Sequence, residues 1–368
     1  MKILVTGGHL APALSVISKL KNKDVVYVGR KYALEGDRAL SLEYQVIKDL
    51  GIPFFAITTG RLQRKFSKHT IPSFLKLPIG FSQSMYILKN FKPDIVLGFG
   101  GYVSLPVIIA AHFLKIPIVI HEQTFEAGIA NKIASRFATK ICISWKSSEN
   151  FFPKEKTILT GNPLRKEILD LKKETKKENR GLPLLYITGG SLGSHFINNL
   201  VKQSLKDMLK SFKIVHQTGD AKKFNDFEEL SKIKQNLADK SNNYTIVKHL
   251  SPVNSAKVLN DADIVVSRAG INTVSELLYL NKPSLLIPIS FSQKDEQLKN
   301  AKMLKLNGLA EVLEEKDATH VNFVEILSKM LKQINSYKPN HNDEISQNAP
   351  QKIIEVLNNV YHEKKTKK

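Results

Sequence analysis

The sequence predicts an α/β protein made of two doubly wound parallel-sheet domains in tandem, on three observations. Short apolar β runs alternate with amphipathic segments through both halves of the chain, and such alternation means a parallel sheet with helices on both faces. Glycine-bearing turns follow directly on several of these runs: Thr6-Gly7-Gly8-His9, Gly98-Phe99-Gly100-Gly101-Tyr102, Gly189-Gly190-Ser191-Leu192-Gly193 and Arg268-Ala269-Gly270. At 368 residues the chain exceeds the ~250–300 at which a single core stops growing.

The elements follow in order. Residues 2–5 form an apolar strand that runs straight into glycines, and 11–20 the first helix. Further strands are expected at 25–28, 54–57, 95–97, 118–120 and 140–143, with helices over 39–50, 73–90, 104–114 and 127–137. After Thr160-Gly161-Asn162-Pro163 the pattern restarts, with strands at 184–188, 213–216, 245–247, 264–266 and 284–287. Domains are therefore expected at 1–160 and 161–346, and a last amphipathic helix, about 347–361, is expected to pack back on the first. In such folds ligands sit beyond the C-terminal ends of the strands.

Composition narrows the class. An apolar fraction of 42% supports full cores. The one cysteine, Cys142, lies in the run Ile141-Cys142-Ile143 and reads as a buried strand residue, so no disulfide framework exists. A net charge of +21 points to nucleic acid, anionic membrane or phosphorylated substrates. Part of that excess lies in solvated lysine runs at 171–180 and in the C-terminal tail. Met1-Lys2 leads directly into a strand, with no signal-peptide pattern. The apolar region 105–120 is broken by His112, Lys115 and Pro117, too short to span a bilayer, so any membrane contact is expected to be peripheral.

The stretch 261–301 carries the densest chemistry. Its turn and helix start bring Ser267, Gly270, Asn272, Thr273, Ser275 and Glu276 together. Exposed N–H groups at a helix start suit a phosphate, and a carboxylate one turn further hydrogen-bonds a ribose diol. Together they describe a nucleoside diphosphate and point to a nucleotide-sugar enzyme. Gly190, Ser191 and the loop amides around them suit the same diphosphate, with Arg165 as a cation. Gln293, Asp295, Glu296 and Gln297 are placed to reach sugar hydroxyls.

In the first half, Thr6, Gly7 and Gly8 allow close approach of a ligand to backbone, or serve only as a tight strand–helix turn. His9, at a strand's C-terminal end, is a candidate general base. The Gly98–Tyr102 loop suits a polar or anionic group. The polar run His121-Glu122-Gln123-Thr124 must be exposed at a site or hydrogen-bonded internally. A lone His-Glu pair is no zinc pattern, and Asp263 of Asp261-Ala262-Asp263 leads into a buried strand, so no metal is expected. Neither G-x-G-x-x-G nor a Walker lysine loop occurs, and no cofactor is expected.

The stretch 61–92, opening on Arg61 and closing on Lys92, holds seven Lys/Arg and no acid, interleaved with Phe66, Ile71, Phe74, Leu75, Leu77, Ile79, Phe81 and Tyr86. It reads as an interfacial surface for anionic lipid or as the core face of one amphipathic helix. No RNA-binding motif accompanies the charge, and nucleic acid is not an expected partner.

Seven blocks in order, TGGHLAPAL, GFGGYVSLP, HEQTFEAGIANK, GNPLR, ITGGSLG, SRAGINTVSE and KDEQLKNA, resemble the MurG family of bacterial cell-wall enzymes across nearly the whole chain. The resemblance implies a two-domain GT-B fold. It also implies transfer of N-acetylglucosamine from UDP-N-acetylglucosamine to an undecaprenyl-diphosphate-linked muramyl-peptide, the lipid I to lipid II step of peptidoglycan synthesis, at the cytoplasmic face of the cell membrane. Thr6, Gly7, Gly8 and Tyr102 would line the acceptor side, with His9 as first base and Glu122 as second. Arg165, Gly190, Ser191, Gly270 and the helix start Ile271, Asn272, Thr273, Val274 and Ser275 would hold the diphosphate and nucleotide. Glu276 would bind ribose, Leu250 uracil by its backbone, and Gln297 the N-acetylglucosamine. The 61–92 stretch would meet the anionic inner-membrane surface. Two departures stand out: the first loop lacks the family's extra glycines, and Thr124 stands where the family carries an asparagine toward the donor sugar. A transferase to another glycolipid, a UDP-N-acetylglucosamine 2-epimerase and a non-catalytic membrane scaffold are the alternative readings.

Overall fold

In the computed structural model the described residues are 1–20, 24–32, 39–60, 70–171, 181–190, 192–220, 224–291, 295–340 and 348–366, without the side chains of 70–77 and 238. The chain divides into two compact units, Met1–Arg165 with Glu344–Lys368, and Lys166–Asp343.

The first unit runs β1 (Lys2–Thr6), α1 (Leu10–Ile17), β2 (Asp24–Gly29), α2 (Leu42–Asp49), β3 (Phe54–Ala56), α3 (Thr70–Phe91), β4 (Ile95–Gly98), α4 (Ser104–Phe113), β5 (Ile118–Glu122), α5 (Ile129–Ala134), β6 (Lys140–Ile143) and β7 (Thr157–Leu159). Its seven strands lie in the order β3-β2-β1-β4-β5-β6-β7, with every pairing parallel. The central strands are covered on both faces, so Ile3, Leu4 and Val5 are all fully buried and the apolar run is continuous rather than alternating. Pro12 falls in the first turn of α1, where no backbone N–H is needed. Ser41 starts α2 by accepting the Tyr44 N–H at 3.1 Å.

The second unit runs α6 (Lys166–Leu169), β8 (Leu184–Thr188), α7 (His195–Met208), β9 (Lys213–Gln217), α8 (Asp226–Gln235), β10 (Tyr244–Val247), α9 (Pro252–Asp261), β11 (Ile264–Ser267), α10 (Ile271–Tyr279), β12 (Ser284–Leu286), α11 (Glu296–Leu306), β13 (Ala310–Val312) and α12 (His320–Lys332). Its parallel sheet has the order β10-β9-β8-β11-β12-β13. In both sheets the chain works outward from one strand and then crosses to its other side. The switch points lie between β1 and β4, and between β8 and β11. Each therefore sets two of the glycine turns beside each other at the strand ends, where α/β folds bind ligands.

Two three-residue edge strands, β7 and β13, are absent from the sequence expectation. Each is too short to show a period, and Glu311 sits in the middle of one. β5 runs two residues further than expected and takes in His121 and Glu122.

The last helix, α13 (Ala349–Thr366), belongs to the first unit and packs on α1. Its Ile353, Ile354, Val356, Leu357 and Val360 join Ile3, Val5, Ala13 and Val16 in one core layer. Leu357 is fully buried there. Leu357→Ala is expected to destabilise the first unit by about 2–5 kcal/mol, read as a lowered denaturation midpoint.

Candidate functional site

In the first unit the turns after β1 and β4 are stitched together. The Thr6 carbonyl accepts the Phe99 N–H at 2.7 Å, and the Gly8 N–H donates to the Gly100 carbonyl at 2.9 Å. Gly7, at φ +149°, passes so close to Phe99 that a Cβ would lie 2.8 Å from its backbone, which explains the glycine there. The Tyr27 hydroxyl anchors the same turn by donating to the Gly7 carbonyl at 2.8 Å. Tyr102, in the second turn, lies under the Arg30 guanidinium, which sits 5.0 Å from the ring centroid and also donates to the phenol oxygen.

His9 is the N-cap residue of α1, and its side chain makes no capping hydrogen bond. It lies near enough to couple electrostatically to His121, which is wholly buried at the end of β5. Burial pushes the His121 imidazole down to about 3, against a weaker pull from the Gly161 carbonyl, and His9 adds to the lowering. His121 is therefore neutral. Its Nε2 faces the Gly161 carbonyl at 3.4 Å and Ser144 Oγ at 3.1 Å, while Nδ1 is buried with no partner. Thr6 Oγ1 and Asn131 Oδ1 are likewise buried and unpartnered. Asn131 borders Gly100, so three unsatisfied polar atoms gather around the ends of β1, β4 and β5. Each such atom costs about 1–3 kcal/mol unless a ligand or water supplies a partner.

Glu122 requires a correction. It is 2% exposed, and its carboxylate accepts from Thr124 N at 2.9 Å, Gly128 N at 3.0 Å and Asn131 Nδ2 at 3.0 Å, with Thr124 Oγ1 also within reach at 2.7 Å. A buried carboxylate held in this way organises the loop and the start of α5, and those donors stabilise its charged form and weaken it as a base. The Thr124 hydroxyl is shared between Glu122 and the Glu126 carbonyl at 2.6 Å, so it too is spent inside the loop. Gln123 is buried, and its carbonyl receives the Trp145 indole N–H at 2.9 Å.

In the second unit, the glycine turn after β8 is packed against the end of β9. A Cβ on Gly193, at φ +77°, would lie 1.9 Å from the Thr218 carbonyl. Gly190 is at φ +86° with open space around it, and Ser191 falls outside the described residues. α10 begins at the neighbouring turn with Gly270 as N-cap and no side-chain cap. A Cβ on Gly270 would meet nothing within 4 Å, so the approach to the first turn of α10, a helix start of the kind that suits an anion, is open at that point. Asn272 is exposed and Thr273 half-buried, with Glu276 one turn further on, also half-buried.

Ser267, Val274 and Ser275 depart from expectation. All three side chains are buried. Ser267 Oγ donates to the Arg268 carbonyl at 2.9 Å and Ser275 Oγ to the Ile271 carbonyl at 2.8 Å. Gln297 is half-buried, and its Oε1 accepts the Ile289 N–H at 3.2 Å. Leu250 follows β10, and its N–H donates to Gln217 Oε1 at 3.2 Å. Arg165 ends the first unit. Asp263 ties β11 to β8 by accepting the Leu184 N–H at 2.7 Å.

Three residues missed by sequence reasoning hold the second unit's turns. Arg268 donates to Ser194 Oγ at 3.1 Å and to the Ile287 carbonyl at 3.0 Å, and pairs with Glu315 at 2.7 Å. Asn300 of α11 donates to the Ala269 carbonyl at 3.0 Å. Gln217 donates to the Gly190 carbonyl at 3.2 Å.

Of the basic stretch 61–92, residues 61–69 lie outside the described residues. In the described part of α3, Ile87 and Leu88 enter the core and Phe81 packs on it, while Ile79 and Tyr86 are 50% and 72% exposed. Phe113 of α4, 68% exposed, meets Phe81 edge-on with ring centroids 5.8 Å apart. Among the described residues no helix is long and apolar enough to cross a membrane.

Residues 5–143 match the glycosyltransferase family 28 N-terminal domain and residues 184–357 the glycosyltransferase family 28 C-terminal domain. The chain is 34% identical to the UDP-N-acetylglucosamine--N-acetylmuramyl-(pentapeptide) pyrophosphoryl-undecaprenol N-acetylglucosamine transferase of Clostridium botulinum (strain Kyoto / Type A2), over 97% of this chain and 98% of that protein. A relative of the same name from Clostridium tetani is 32% identical over 98% of each chain. The crystal structure of Acinetobacter baumannii MurG superposes with a TM-score of 0.75 at 26% identity, covering 97% of this chain and 99% of that one. A UDP-GlcNAc 2-epimerase from Neisseria meningitidis, bound to UDP-GlcNAc, has a TM-score of 0.65 at 18% identity over 97% of this chain and 99% of that one, a likeness of fold alone. Relatives matched from end to end, and two domain models in the expected order, make this chain a member of glycosyltransferase family 28 and, within it, of the MurG family.

Proposed function

We propose that the chain transfers N-acetylglucosamine from UDP-N-acetylglucosamine to a sugar hydroxyl of an undecaprenyl-diphosphate-linked muramyl-peptide, converting lipid I to lipid II. The observation that carries the reading is 34% identity over 97% of the chain to an enzyme named for that transfer. The acceptor oxygen forms a bond to the sugar's anomeric carbon as the bond to the UDP oxygen breaks, with inversion. His9 takes the acceptor's proton. The charge that develops on UDP is stabilised by the start of α10 at Gly270, Ile271, Asn272 and Thr273, by the turn of Gly190 and Ser191, and by Arg165. Glu276 binds ribose, the Leu250 backbone uracil and Gln297 the transferred sugar. On the acceptor side the turns of Thr6, Gly7, Gly8 and Tyr102 are supported by the unpartnered buried atoms of Thr6, His121 and Asn131.

The exposed Ile79, Tyr86 and Phe113, with the lysines of 61–92, support peripheral attachment to an anionic membrane surface on the cytoplasmic face. The decisive assay supplies labelled UDP-N-acetylglucosamine and lipid-linked muramyl-peptide and looks for labelled lipid product. Product sustains the reading; turnover of the donor without acceptor would replace it with an epimerase. Donor binding with transfer to no muramyl acceptor would leave another glycolipid or a scaffold.

A further inference from the structure

We propose that Gln217 is a positioning residue of the donor site, whose single buried amide holds the phosphate-facing turn and the base-facing segment in register. Gln217 ends β9 and is paired in the sheet with Thr188, the last residue of β8, and with Val247, the last residue of β10. Its two neighbours therefore lead directly into the two segments in question, Gly189-Gly190 on one side and Lys248-His249-Leu250 on the other. The side chain is 7% exposed. Its Nε2 donates to the Gly190 carbonyl at 3.2 Å, and its Oε1 accepts the Leu250 N–H at 3.2 Å, with the Tyr186 hydroxyl at 3.5 Å on the same oxygen.

These partners leave the amide one orientation. Gly190 offers an acceptor and Leu250 a donor, so a flipped amide would set N–H against N–H and oxygen against oxygen. Of the side chains of this length, only glutamine carries both a donor and an acceptor at its end without taking up a proton. With the Leu250 N–H engaged by Gln217, the Leu250 carbonyl is the backbone group on that residue left to meet a base. The inference rests on the donor-site reading of Gly190 and Leu250 given above.

The test measures UMP and UDP binding to the full chain by calorimetry. Gln217→Glu keeps an acceptor for Leu250 but turns a lone pair toward the Gly190 carbonyl. It is expected to leave UMP affinity within about threefold of wild type while weakening UDP about 30-fold or more. Gln217→Met removes both bonds and is expected to weaken UMP and UDP alike, by about tenfold. The shift in the UMP-to-UDP ratio in Gln217→Glu is the deciding readout, because a merely structural role would weaken both nucleotides by one factor. Gln217→Glu decides alone if Gln217→Met does not fold. Equal weakening by Gln217→Glu, or wild-type affinities in both variants, would overturn the role of Gln217 while the wild type still binds UDP. A wild-type chain that binds no UDP would remove the donor-site reading itself, and this role with it.

Discussion

His9→Ala is expected to lower turnover by about 100-fold or more while donor affinity stays nearly unchanged. Three basic groups lie at the ends of β1 and β5: His9, His121 and Glu122. His121 is wholly buried and held neutral by that burial, with its Nε2 facing the Gly161 carbonyl and Ser144 Oγ. Glu122 engages both oxygens with the backbone N–H groups of Thr124 and Gly128 and the side-chain amide of Asn131. Of these three groups, only His9 has a side chain with no hydrogen bond to the described residues, at the start of α1 and beside two turns of positive-φ glycines. It contributes no cap to α1, so its removal takes no structural hydrogen bond away, and the thermal midpoint is expected to stay within about 1 °C of wild type. The measurement is steady-state turnover with saturating acceptor, set against calorimetric UDP affinity. An unchanged rate would leave the acceptor proton without a side-chain base on this chain's β1 turn.

Much of this was legible in the sequence because the signals were local. A strand that runs into glycines announces both a parallel-sheet strand and a turn that brings backbone close to a ligand, as at Thr6-Gly7-Gly8 and Gly189-Gly190. Two differences between sequence and structure have physical causes. Apolar character stops at Ile120, yet the ladder of β5 continues through His121 and Glu122, whose polar ends are met by Ser144, Asn131 and the Thr124 loop. The motif sets Val274 and Ser275 beside the ligand-facing residues. Helical spacing argues the reverse: Ile271, Val274, Ser275 and Leu278 repeat at intervals of three and four and share the core face. That signal was present and outweighed by the motif. Gln217, Arg268 and Asn300 are a different case. Their partners lie 33, 74 and 31 residues away, at Leu250, Ser194 and Ala269, and although Arg268 and Asn300 fall inside the SRAGINTVSE and KDEQLKNA blocks, nothing local tells what their side chains hold.

Arg268→Ala is expected to cost the second unit about 2–4 kcal/mol and to change how its stability depends on pH. The side chains of Arg268 and Glu315 are only 12% and 14% exposed, and their closest approach is 2.7 Å. Arg268 also donates to Ser194, the N-cap of α7, and to the carbonyl of Ile287 beyond β12, so one guanidinium joins the ends of three strand–helix connections. A lysine offers a single point of charge in place of that planar fork, and Arg268→Lys is expected to recover less than half of the loss. Burial pushes the Glu315 carboxyl up, but the Ser290 hydroxyl and amide together with Arg268 outweigh it and hold the group below its usual range. A depressed carboxylate contributes stability that is complete above its unfolded value of about 4.3 and is lost as pH falls through the lower folded value. In the wild type this part of the acid limb therefore begins below about pH 4. Without Arg268 the burial of Glu315 is opposed by Ser290 alone, so the limb moves to higher pH and the two proteins differ most near neutrality. Urea midpoints measured at pH 7 and again near pH 3 test both parts. A constant difference between the two proteins across that range would mean that Arg268 acts through its hydrogen bonds to Ser194 and Ile287 and not through its charge.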